Sequence, residues 1–321
     1  MTVHDGSGRA VDFQDSCDLA QIARLWNSAA GSELAMSQRM VRYHAEPAEG
    51  VWQSGRFTES DGRLVGMVWI TAARRLNRDH GLSGFVEMLC VVPEYQGRGI
   101  GTQLLGWAEE MLTDQDCERV VLGGGFRWSL DAVPLELGSV GYFANRGYME
   151  GVAVWDVVRD LTGFEADREI GEHDASIVAA TESDVEELLE FLSSTFPRWA
   201  MRLSDHREAQ GRLSDYLVLR LDGELVGFCA LTFEDSRVPL ERLLGSPLPR
   251  PWGELGPIGL SEFVRGRGLG GLLLREGLAA LRSRGVRGCR ICYTPLPGFY
   301  ESAGFQRERE FASMAKDLSP S

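Results

Sequence analysis

Two stretches of this sequence decide its fold: VVPEYQGRGIGTQLLGWAEEML at residues 91–112 and FVRGRGLGGLLLREGLAALRSRG at residues 263–285. Each begins with apolar residues typical of a β-strand, passes through glycines spaced by arginine, and continues with apolar residues at helical spacing. A strand that enters a helix through such a turn leaves the first helical N–H groups without partners and pointing outward. The pattern therefore predicts two copies of an anion-binding loop at a helix N-terminus.

Two further segments also occur twice, in the same order. The segment DGRLVGMVWITA at residues 61–72 matches DGELVGFCALTF at residues 222–233, and YFANRGY at residues 142–148 matches FYESAGF at residues 299–305. In the first pair, Asp-Gly joins two β-rich runs, as in a tight hairpin whose turn needs positive φ. Because the copies lie about 160 residues apart, we interpret the chain as a tandem duplication.

A polar, acidic segment without apolar periodicity separates the two copies. It runs from Thr162 to Ser176 and predicts an N-terminal domain at residues 1–161 and a C-terminal domain at residues 176–321.

The remaining pattern predicts an α/β fold in each copy. Two helical segments precede each hairpin, and the first helix of the second copy is expected to start at Ser183, because Ser183 and Glu186 form a capping-box pattern. The strand GFVEMLCVV at residues 84–92 is apolar on both faces, as in the centre of a sheet, and Glu87 is its one charged residue. Hairpins combined with a strand–loop–helix unit predict a mixed sheet flanked by helices.

The composition of the 321 residues narrows the classes of function. The formal net charge is −14 and there is no basic patch, which disfavours nucleic acid and anionic membranes as partners and favours cationic amines. No apolar run is long enough to cross a bilayer and residues 1–13 lack a signal-peptide pattern, so we expect a cytoplasmic protein. The pair Cys289 and Cys292 lacks the further ligands of a zinc site, so we expect buried thiols and no metal.

The glycine loops have three alternative interpretations: two other phosphate-binding motifs and a loop that binds no ligand. A Rossmann fingerprint needs G-x-G-x-x-G followed by an acidic residue about 20 positions later, and a P-loop needs Lys followed by Ser or Thr; neither pattern fits. Without a ligand, the loop is a tight turn that caps a helix. The glycines that would let the backbone approach a bulky anion are Gly97, Gly99 and Gly101 in the first copy and Gly266, Gly268 and Gly270 in the second.

The loops also resemble those of a known family. QGRGIG at residues 96–101 and RGRGLG at residues 265–270 match the Gln/Arg-x-x-Gly-x-Gly/Ala signature of the GNAT acetyltransferases, and FYESAGF resembles their late aromatic motif. The resemblance implies an α/β protein built as a tandem duplication of the GNAT-like acyl-CoA N-acyltransferase fold, each copy with a mixed, mostly antiparallel sheet flanked by helices. It also implies acetyl-CoA as the co-substrate.

The same resemblance implies where the acyl-CoA would bind, with its pyrophosphate on the glycine loop and its pantetheine arm along the preceding strand. The implied loop residues are Gln96, Gly97, Arg98, Gly99, Ile100, Gly101 and Thr102 in the first copy, and Arg265, Gly266, Arg267, Gly268, Leu269, Gly270 and Gly271 in the second. The implied strand residues are Leu89, Cys90 and Val91, and Ile258, Gly259 and Leu260.

Candidate catalytic residues follow from the late motif and from the strand before the loop. In the family, a tyrosine of the late motif often protonates the leaving thiolate. Tyr300 occupies that place in the second copy, but Phe143 occupies it in the first, where Tyr142 falls one position early. Tyr300 is therefore the expected acid, with ordinary aromatic packing as the alternative. Glu254 and Glu87 are the candidate bases, with a solvated loop position for Glu254 and a buried hydrogen-bonding role for Glu87 as the alternatives.

These features together predict an acetyl-CoA-dependent N-acetyltransferase. The primary amine of a small molecule would attack the thioester directly, and the second half is expected to be catalytic because it carries Tyr300. The alternative is a non-catalytic protein that binds or senses acyl-CoA. The segment at residues 234–255 is longer than its counterpart in the first copy and is expected to line the acceptor pocket.

Overall fold

The computed structural model describes residues 18–73, 82–127, 130–165, 175–239 and 248–318, which form two compact units. Unit 1 contains the described residues up to Ala153 together with those from Phe311 onward. The described residues of unit 2 lie between Val154 and Glu310. The predicted linker and the predicted acceptor segment include residues 166–174 and 240–247, which lie outside the described residues.

The helices and strands alternate in a similar order along both halves of the chain. The first half contains α1 (Leu19–Ala30), α2 (Gln38–Ala45), β1 (Val51–Ser60), β2 (Arg63–Ala73), β3 (Ser83–Val91), α3 (Ile100–Asp114), β4 (Arg119–Leu122), β5 (Val133–Pro134), α4 (Val140–Ala144) and β6 (Met149–Asp160). The second half contains β7 (Ala175–Ala179), α5 (Val185–Thr195), α6 (Pro197–Glu208), β8 (Tyr216–Leu221), β9 (Glu224–Phe233), β10 (Trp252–Leu260), α7 (Leu269–Ser283), β11 (Gly288–Thr294), α8 (Pro297–Glu301) and β12 (Gln306–Asp317).

Each unit has a mixed sheet in which one pair of strands is parallel. In unit 1 the strands β1, β2, β3 and β4 are neighbours in that order; β3 and β4 are parallel, whereas β1 and β2 pair antiparallel, as do β2 and β3. In unit 2 the strands β7 to β11 are neighbours in chain order, and β10 and β11 are parallel. The expected mixed, mostly antiparallel sheet is confirmed in both units.

The last strand of each sheet comes from the other half of the sequence. The part of β12 at residues 314–317 pairs antiparallel with β4 in unit 1, and the part of β6 at residues 155–160 pairs antiparallel with β11 in unit 2. The units therefore assign residues 154–161 and the described residues 311–318 differently from the domain limits 1–161 and 176–321, which stay a prediction.

Apolar residues at helical spacing bury one face of the helix that follows each glycine loop. In unit 1, Leu104, Leu105, Ala108 and Leu112 of α3 pack in a core with residues of β2, β3 and β4. In unit 2, Leu273, Leu274, Leu278 and Leu281 of α7 pack with residues of β9, β10 and β11. Burial of such side chains contributes roughly 1.5–3 kcal/mol each, so these helices are held mainly by their sheets.

The hairpin turns and the cap of α5 test two local predictions. Asp61 and Gly62 have φ of 53° and 74°, and Asp222 and Gly223 have φ of 52° and 87°, as the Asp-Gly turns require. The predicted cap at Ser183 and Glu186 is wrong. Thr181 and Asp184 form the capping box instead, across a short 3₁₀ turn that precedes α5.

No helix among the described residues has the length and apolar character needed to cross a membrane. Cys289 is fully buried in the core of unit 2, and Cys292 is half-buried. Within the described ranges, no group of three or more His, Cys, Asp and Glu side chains could hold a metal ion.

Candidate active site

The glycine loop of unit 1 turns the chain from β3 into α3. Gly97 and Gly99 have φ of 73° and 85°, in the left-handed region that favours glycine, and space is open beyond both Cα atoms. Gly99 is the N-cap of α3, so the first N–H groups of the helix face the opening. Two loop side chains predicted to bind acyl-CoA are hydrogen-bonded to nearby backbone carbonyls, and their contact with acyl-CoA stays a prediction. Gln96 Nε2 donates to the Val91 carbonyl over 3.0 Å, and Arg98 donates to the Glu94 carbonyl over 2.8 Å.

A cleft of about 740 Å³ lies along this loop in unit 1. Parallel pairing between β3 and β4 ends at Val86 and Leu122, so the two strands separate beyond these residues. The cleft is lined by β3, the glycine loop, the end of β4, α4 and the end of α1. Its lining includes Trp26, Ala29, Ala30, Glu87, Leu89, Cys90, Val91, Gln96, Gly97, Gly99, Ile100, Gly101, Thr102, Gly123, Tyr142, Phe143 and Arg146. The strand residues predicted to hold the pantetheine arm thus lie in the wall, where burial raises the pKa of the Cys90 thiol to about 12.

Three polar side chains meet beside the glycine loop of unit 1. The guanidinium of Arg146 lies 3.7 Å from the ring centroid of Tyr142 and donates to Thr102 Oγ1 over 2.6 Å. The Tyr142 hydroxyl lies 3.1 Å from the position that a Cβ on Gly101 would occupy. Among the described residues, neither this buried hydroxyl nor the buried Nε of Arg146 has a hydrogen-bond partner. Two such atoms in a cleft wall are the donors that a phosphate-containing ligand needs, so these residues fit acyl-CoA.

The glycine loop of unit 2 has the same backbone but different neighbours. Gly266 and Gly268 have φ of 76° and 78°, and Gly268 is the N-cap of α7. Arg265 donates to the Leu260 carbonyl over 3.3 Å, and Arg267 is exposed. Phe299 packs against Gly270, in the place where Tyr142 packs against Gly101 in unit 1.

Two more polar groups of unit 1 are also replaced in unit 2. Gly271 corresponds to Thr102, and Ala303 corresponds to Arg146. The rings of Phe196 and Trp199 cover Gly259 of β10, since a Cβ there would lie 2.8 and 2.9 Å from their atoms. The loop of unit 2 therefore keeps its shape but lacks the polar trio of unit 1.

Glu87 lies in the wall of the cleft and is buried, with 5% of its surface exposed. Thr71 Oγ1 donates to Oε1 over 2.7 Å, and Nδ1 of His44 lies 3.4 Å from Oε2. Gly125, with φ of 82°, packs against the carboxylate so closely that a Cβ would lie 2.0 Å from Oε1. Glu87 is thus a buried, hydrogen-bonded residue, as the alternative considered from the sequence stated. It also lines the cleft, so its role as a base stays a prediction.

Glu254 has a similar hydroxyl partner in unit 2. It is buried rather than solvated, and Thr232 Oγ1 donates to its Oε2 over 2.9 Å. The solvated loop position considered from the sequence is therefore wrong. Glu254 lies in β10 where that strand still pairs with β11, directly beside Arg290, which is itself fully buried.

Tyr300 lies in the core of unit 2. Its side chain packs edge-on against Phe299 and Phe305, and 6% of its surface is exposed. Burial raises the pKa of its hydroxyl, and a hydrogen bond with Thr294 opposes this rise. The hydroxyl of Tyr300 thus already has a hydrogen-bond partner within unit 2. The role of Tyr300 as the acid stays a prediction.

Sequence reasoning missed three parts of this site. Arg146 lies in the late motif, but the resemblance of that motif concerns its aromatic residue and gives no role to the arginine. His44 lies far from Glu87 in the sequence, so no spacing relates the two. The run Gly123–Gly124–Gly125 carries a signal that could have been used, because three adjacent glycines with positive φ imply close approach of the backbone to other groups.

Two copies of a sheet that opens beside a glycine loop and a helix N-terminus are the architecture of an acyltransferase. The sequence profile described as "Acetyltransferase (GNAT) family" matches residues 19–135 and 185–305, which is more than half of the chain. The chain therefore belongs to the GNAT acetyltransferase family. No protein with a curated description matches the sequence.

Solved structures share the fold over nearly the whole chain. A glucosamine N-acetyltransferase region of a fungal multi-domain GH3 β-N-acetylglucosaminidase has a TM-score of 0.84 at 21% identity, and the match covers 98% of this chain but 38% of that one. A tandem GNAT protein from the clavulanic acid biosynthesis pathway has a TM-score of 0.67 at 18% identity, covering 97% and 98% of the two chains. A GCN5-related N-acetyltransferase from Sphaerobacter thermophilus has a TM-score of 0.69 at 19% identity, covering 99% and 98%. At these identities the likeness concerns the fold alone.

Proposed function

We propose that this protein is an acetyl-CoA-dependent N-acetyltransferase that acts on a primary amine of a small molecule, and that unit 1 carries the reaction. The observation that carries the proposal is the cleft of unit 1, which has donors without partners at the glycine loop and a buried carboxylate farther along β3. The sequence favoured the second half because of Tyr300, whereas the polar groups around the two loops favour the first.

The charges of the cleft support a direction of binding in which the phosphates of acyl-CoA lie near Arg146 and the acceptor amine lies near Glu87. Among the described residues that line it, Arg146 is the cation and Glu87 is the anion. Glu87 precedes Val91 by four strand residues, which corresponds to about 13 Å along β3. An acyl-CoA with its phosphates at the Arg146 end would extend its thioester along β3 toward Glu87. A cationic amine would be drawn to the Glu87 end, and the formal net charge of −14 favours the same class of acceptor.

The proposed reaction uses this arrangement. Glu87 accepts a proton from the ammonium form of the acceptor, and the neutral amine then attacks the thioester carbonyl carbon. A C–N bond forms and the C–S bond breaks, so that CoA leaves with the sulfur's electron pair. The second proton that the attacking nitrogen loses on becoming an amide goes to this thiolate. Beyond Val86, β3 no longer pairs with β4, which leaves room for the arm of the donor and its carbonyl beside the strand.

Unit 2 is proposed to support the structure and not to bind the donor. Around its glycine loop, unit 2 lacks the polar side chains of the trio in unit 1: the equivalent residues are Phe299, Gly271 and Ala303. Aromatic rings also cover Gly259. Substitutions at these positions can test the difference between the two units.

The test is release of free CoA thiol from acetyl-CoA by the full chain, followed with a thiol reagent against a panel of primary amines. The panel includes polyamines, aromatic amines and glucosamine, the last because a protein of the same fold is named for it. We expect turnover with at least one amine, loss of at least 100-fold in kcat for Glu87→Gln, and little change for the matched Glu254→Gln. Binding of CoA without turnover of any amine would favour the alternative of a binding or sensing protein. Loss of turnover in Glu254→Gln with Glu87→Gln unaffected would move the reaction to unit 2.

A further inference from the structure

His44 is a buried imidazole whose ring nitrogens make no hydrogen bond within the described residues. It lies in the last turn of α2, its side chain is 0% exposed, and its ring contacts Tyr43 and Trp69 edge-on at centroid distances of 6.0 and 5.8 Å. Burial of a polar group without a hydrogen bond is unfavourable, so the position of this ring calls for an explanation.

The carboxylate of Glu87 lies beside this ring. Nδ1 of His44 lies 3.4 Å from Oε2, within reach but without the alignment of a hydrogen bond. The other carboxylate oxygen is already held by Thr71, and Gly125 closes the space next to it. A small rotation of the imidazole about its Cβ–Cγ bond would direct an Nδ1–H at Oε2 and fix the second oxygen.

Unit 2 provides an internal comparison. His206 occupies the equivalent place near the end of α6, but its Nε2 lies 3.0 Å from the Arg212 carbonyl oxygen and is hydrogen-bonded to it. Glu254 of unit 2 keeps a threonine partner, Thr232, like Glu87. The threonine–glutamate pair is thus common to both units. The histidines differ, because that of unit 2 is hydrogen-bonded to a backbone carbonyl and that of unit 1 lies beside the carboxylate.

We propose that His44 is a positioning residue for Glu87. Its Nδ1–H donates to Oε2, so that Thr71 and His44 together fix the plane of the carboxylate. The remaining lone pairs of Glu87 then face the cleft and the ammonium group. The inference rests on the proposed function, because it assigns Glu87 the role of base in unit 1.

In this scheme His44 itself transfers no proton. The N–H bond of the acceptor breaks and an O–H bond forms on Glu87, while the proton on Nδ1 stays where it is. Other ionisable groups lie near the pair. Arg127 places its guanidinium 5.2 Å from the ring centroid of Tyr43 and 4.0 Å from the Glu46 carboxylate, and it donates to the Tyr43 carbonyl. Thr71 donates to one carboxylate oxygen of Glu87, and Nδ1 of His44 lies 3.4 Å from the other.

The first arm of the test needs no reaction and uses the full chain labelled with ¹⁵N-histidine. Long-range ¹H–¹⁵N spectra report which ring nitrogen carries the proton, and His44→Asn identifies the signal among the five histidines. We expect the Nδ1–H form of His44 in the native protein and a change to the Nε2–H form in Glu87→Leu, where the acceptor oxygen is gone. An identical spectrum of His44 in both proteins overturns the proposal, whether or not any amine is acetylated.

The second arm is a double-mutant cycle with acetyl-CoA and the fastest amine of the panel. His44→Leu should lower kcat by 10- to 100-fold with the KM for acetyl-CoA unchanged, and His44→Asn, which keeps a donor near Nδ1, should stay within about threefold of the native value. In the Glu87→Gln background, His44→Leu should change kcat less than twofold. The matched control is His206→Leu, which removes a buried histidine of unit 2 and should leave kcat unchanged.

A merely structural role predicts a different outcome. His44→Leu would then lower kcat by the same factor in both backgrounds, and His44→Asn would give no rescue, which would overturn the proposal. Failure of every amine in the panel counts against the proposed function, while the spectra of the first arm still decide whether His44 donates to Glu87.

Discussion

Replacing Arg146 with alanine gives unit 1 the residue that unit 2 carries at the equivalent position, Ala303, and tests which loop binds the donor. The guanidinium stacks on Tyr142, donates to Thr102, and keeps one buried Nε without a partner among the described residues. A charge-assisted hydrogen bond to phosphate contributes roughly 1.5–3 kcal/mol. Its loss should raise the Kd for CoA by about 10- to 150-fold.

Isothermal titration of the full chain with CoA measures this effect, and we expect one site per chain in the native protein. The variant should remain folded, because the lost contacts with Thr102 and Tyr142 contribute roughly 1–2 kcal/mol, which a thermal melt would register as a modest shift. The matched control is Arg267→Ala, an exposed arginine in the loop of unit 2, which should leave the Kd unchanged. The reasoning is refuted if folded Arg146→Ala binds CoA within twofold of the native protein, and more strongly so if Arg267→Ala weakens binding.

Three further predictions concern other parts of the two units. Gly125→Ala should lower kcat at least 10-fold without changing CoA affinity, because its Cβ would displace the Glu87 carboxylate, and the same change in Glu87→Ala should have no further kinetic effect. Tyr300→Phe should leave kcat unchanged and cost about 1 kcal/mol of stability in urea unfolding, whereas a 100-fold loss of kcat would support the acid role predicted from the sequence. Hydrogen bonds from Thr181 hold the pKa of Asp184 below its usual value, so the carboxylate stabilises unit 2 fully above about pH 4 and the effect is lost as pH falls through the lowered pKa. Asp184→Asn should therefore lower Tm at pH 7, and the difference from the native protein should shrink as pH falls through the lowered pKa. A difference in Tm that stays constant as pH falls would contradict the assignment.

Local sequence patterns predicted the turns, the helix starts and the order of elements, because these features depend on residues that are close together in the sequence. The Asp-Gly turns adopt positive φ, the helices begin directly after Gly99 and Gly268, and the two copies share one order of elements. The exchange of final strands could not be predicted, because a strand pattern indicates a buried face but not the sheet edge that the strand joins. The cap of α5 was misplaced because TESD and SDVE both carry a capping pattern two residues apart, and the 3₁₀ turn decides between them.

The candidate site was harder to predict because it depends on packing between distant segments. The glycine loops are nearly identical in sequence, and their backbones have nearly the same φ values. What separates them is the side chain that packs against each loop, Tyr142 in one unit and Phe299 in the other, together with the rings of Phe196 and Trp199 over Gly259. Spacing within the motif reveals none of these contacts, since the residues come from other elements.

The two buried glutamates illustrate how equivalent positions in a duplicated fold can mislead. Glu254 lies directly opposite Thr232 in the ladder, but the residue opposite Thr71 is Phe85, and the carboxylate that Thr71 holds comes from Glu87, two residues farther along β3. A register shift in the β2–β3 ladder, between its pairs at Trp69–Met88 and Ile70–Val86, lets Glu87 reach back to the threonine.

This difference in register decides what each carboxylate can do. Glu254 lies within the parallel pairing of its strand, beside the buried Arg290, so its surroundings are those of a core ion. Glu87 lies one residue beyond the last β3–β4 pair, at the point where the strands part and the cleft begins. The threonine–glutamate contact therefore lies beside a parallel strand partner in unit 2, whereas in unit 1 it lies in the wall of the cleft. A shift of two residues along a strand is enough to separate a structural carboxylate from a candidate base.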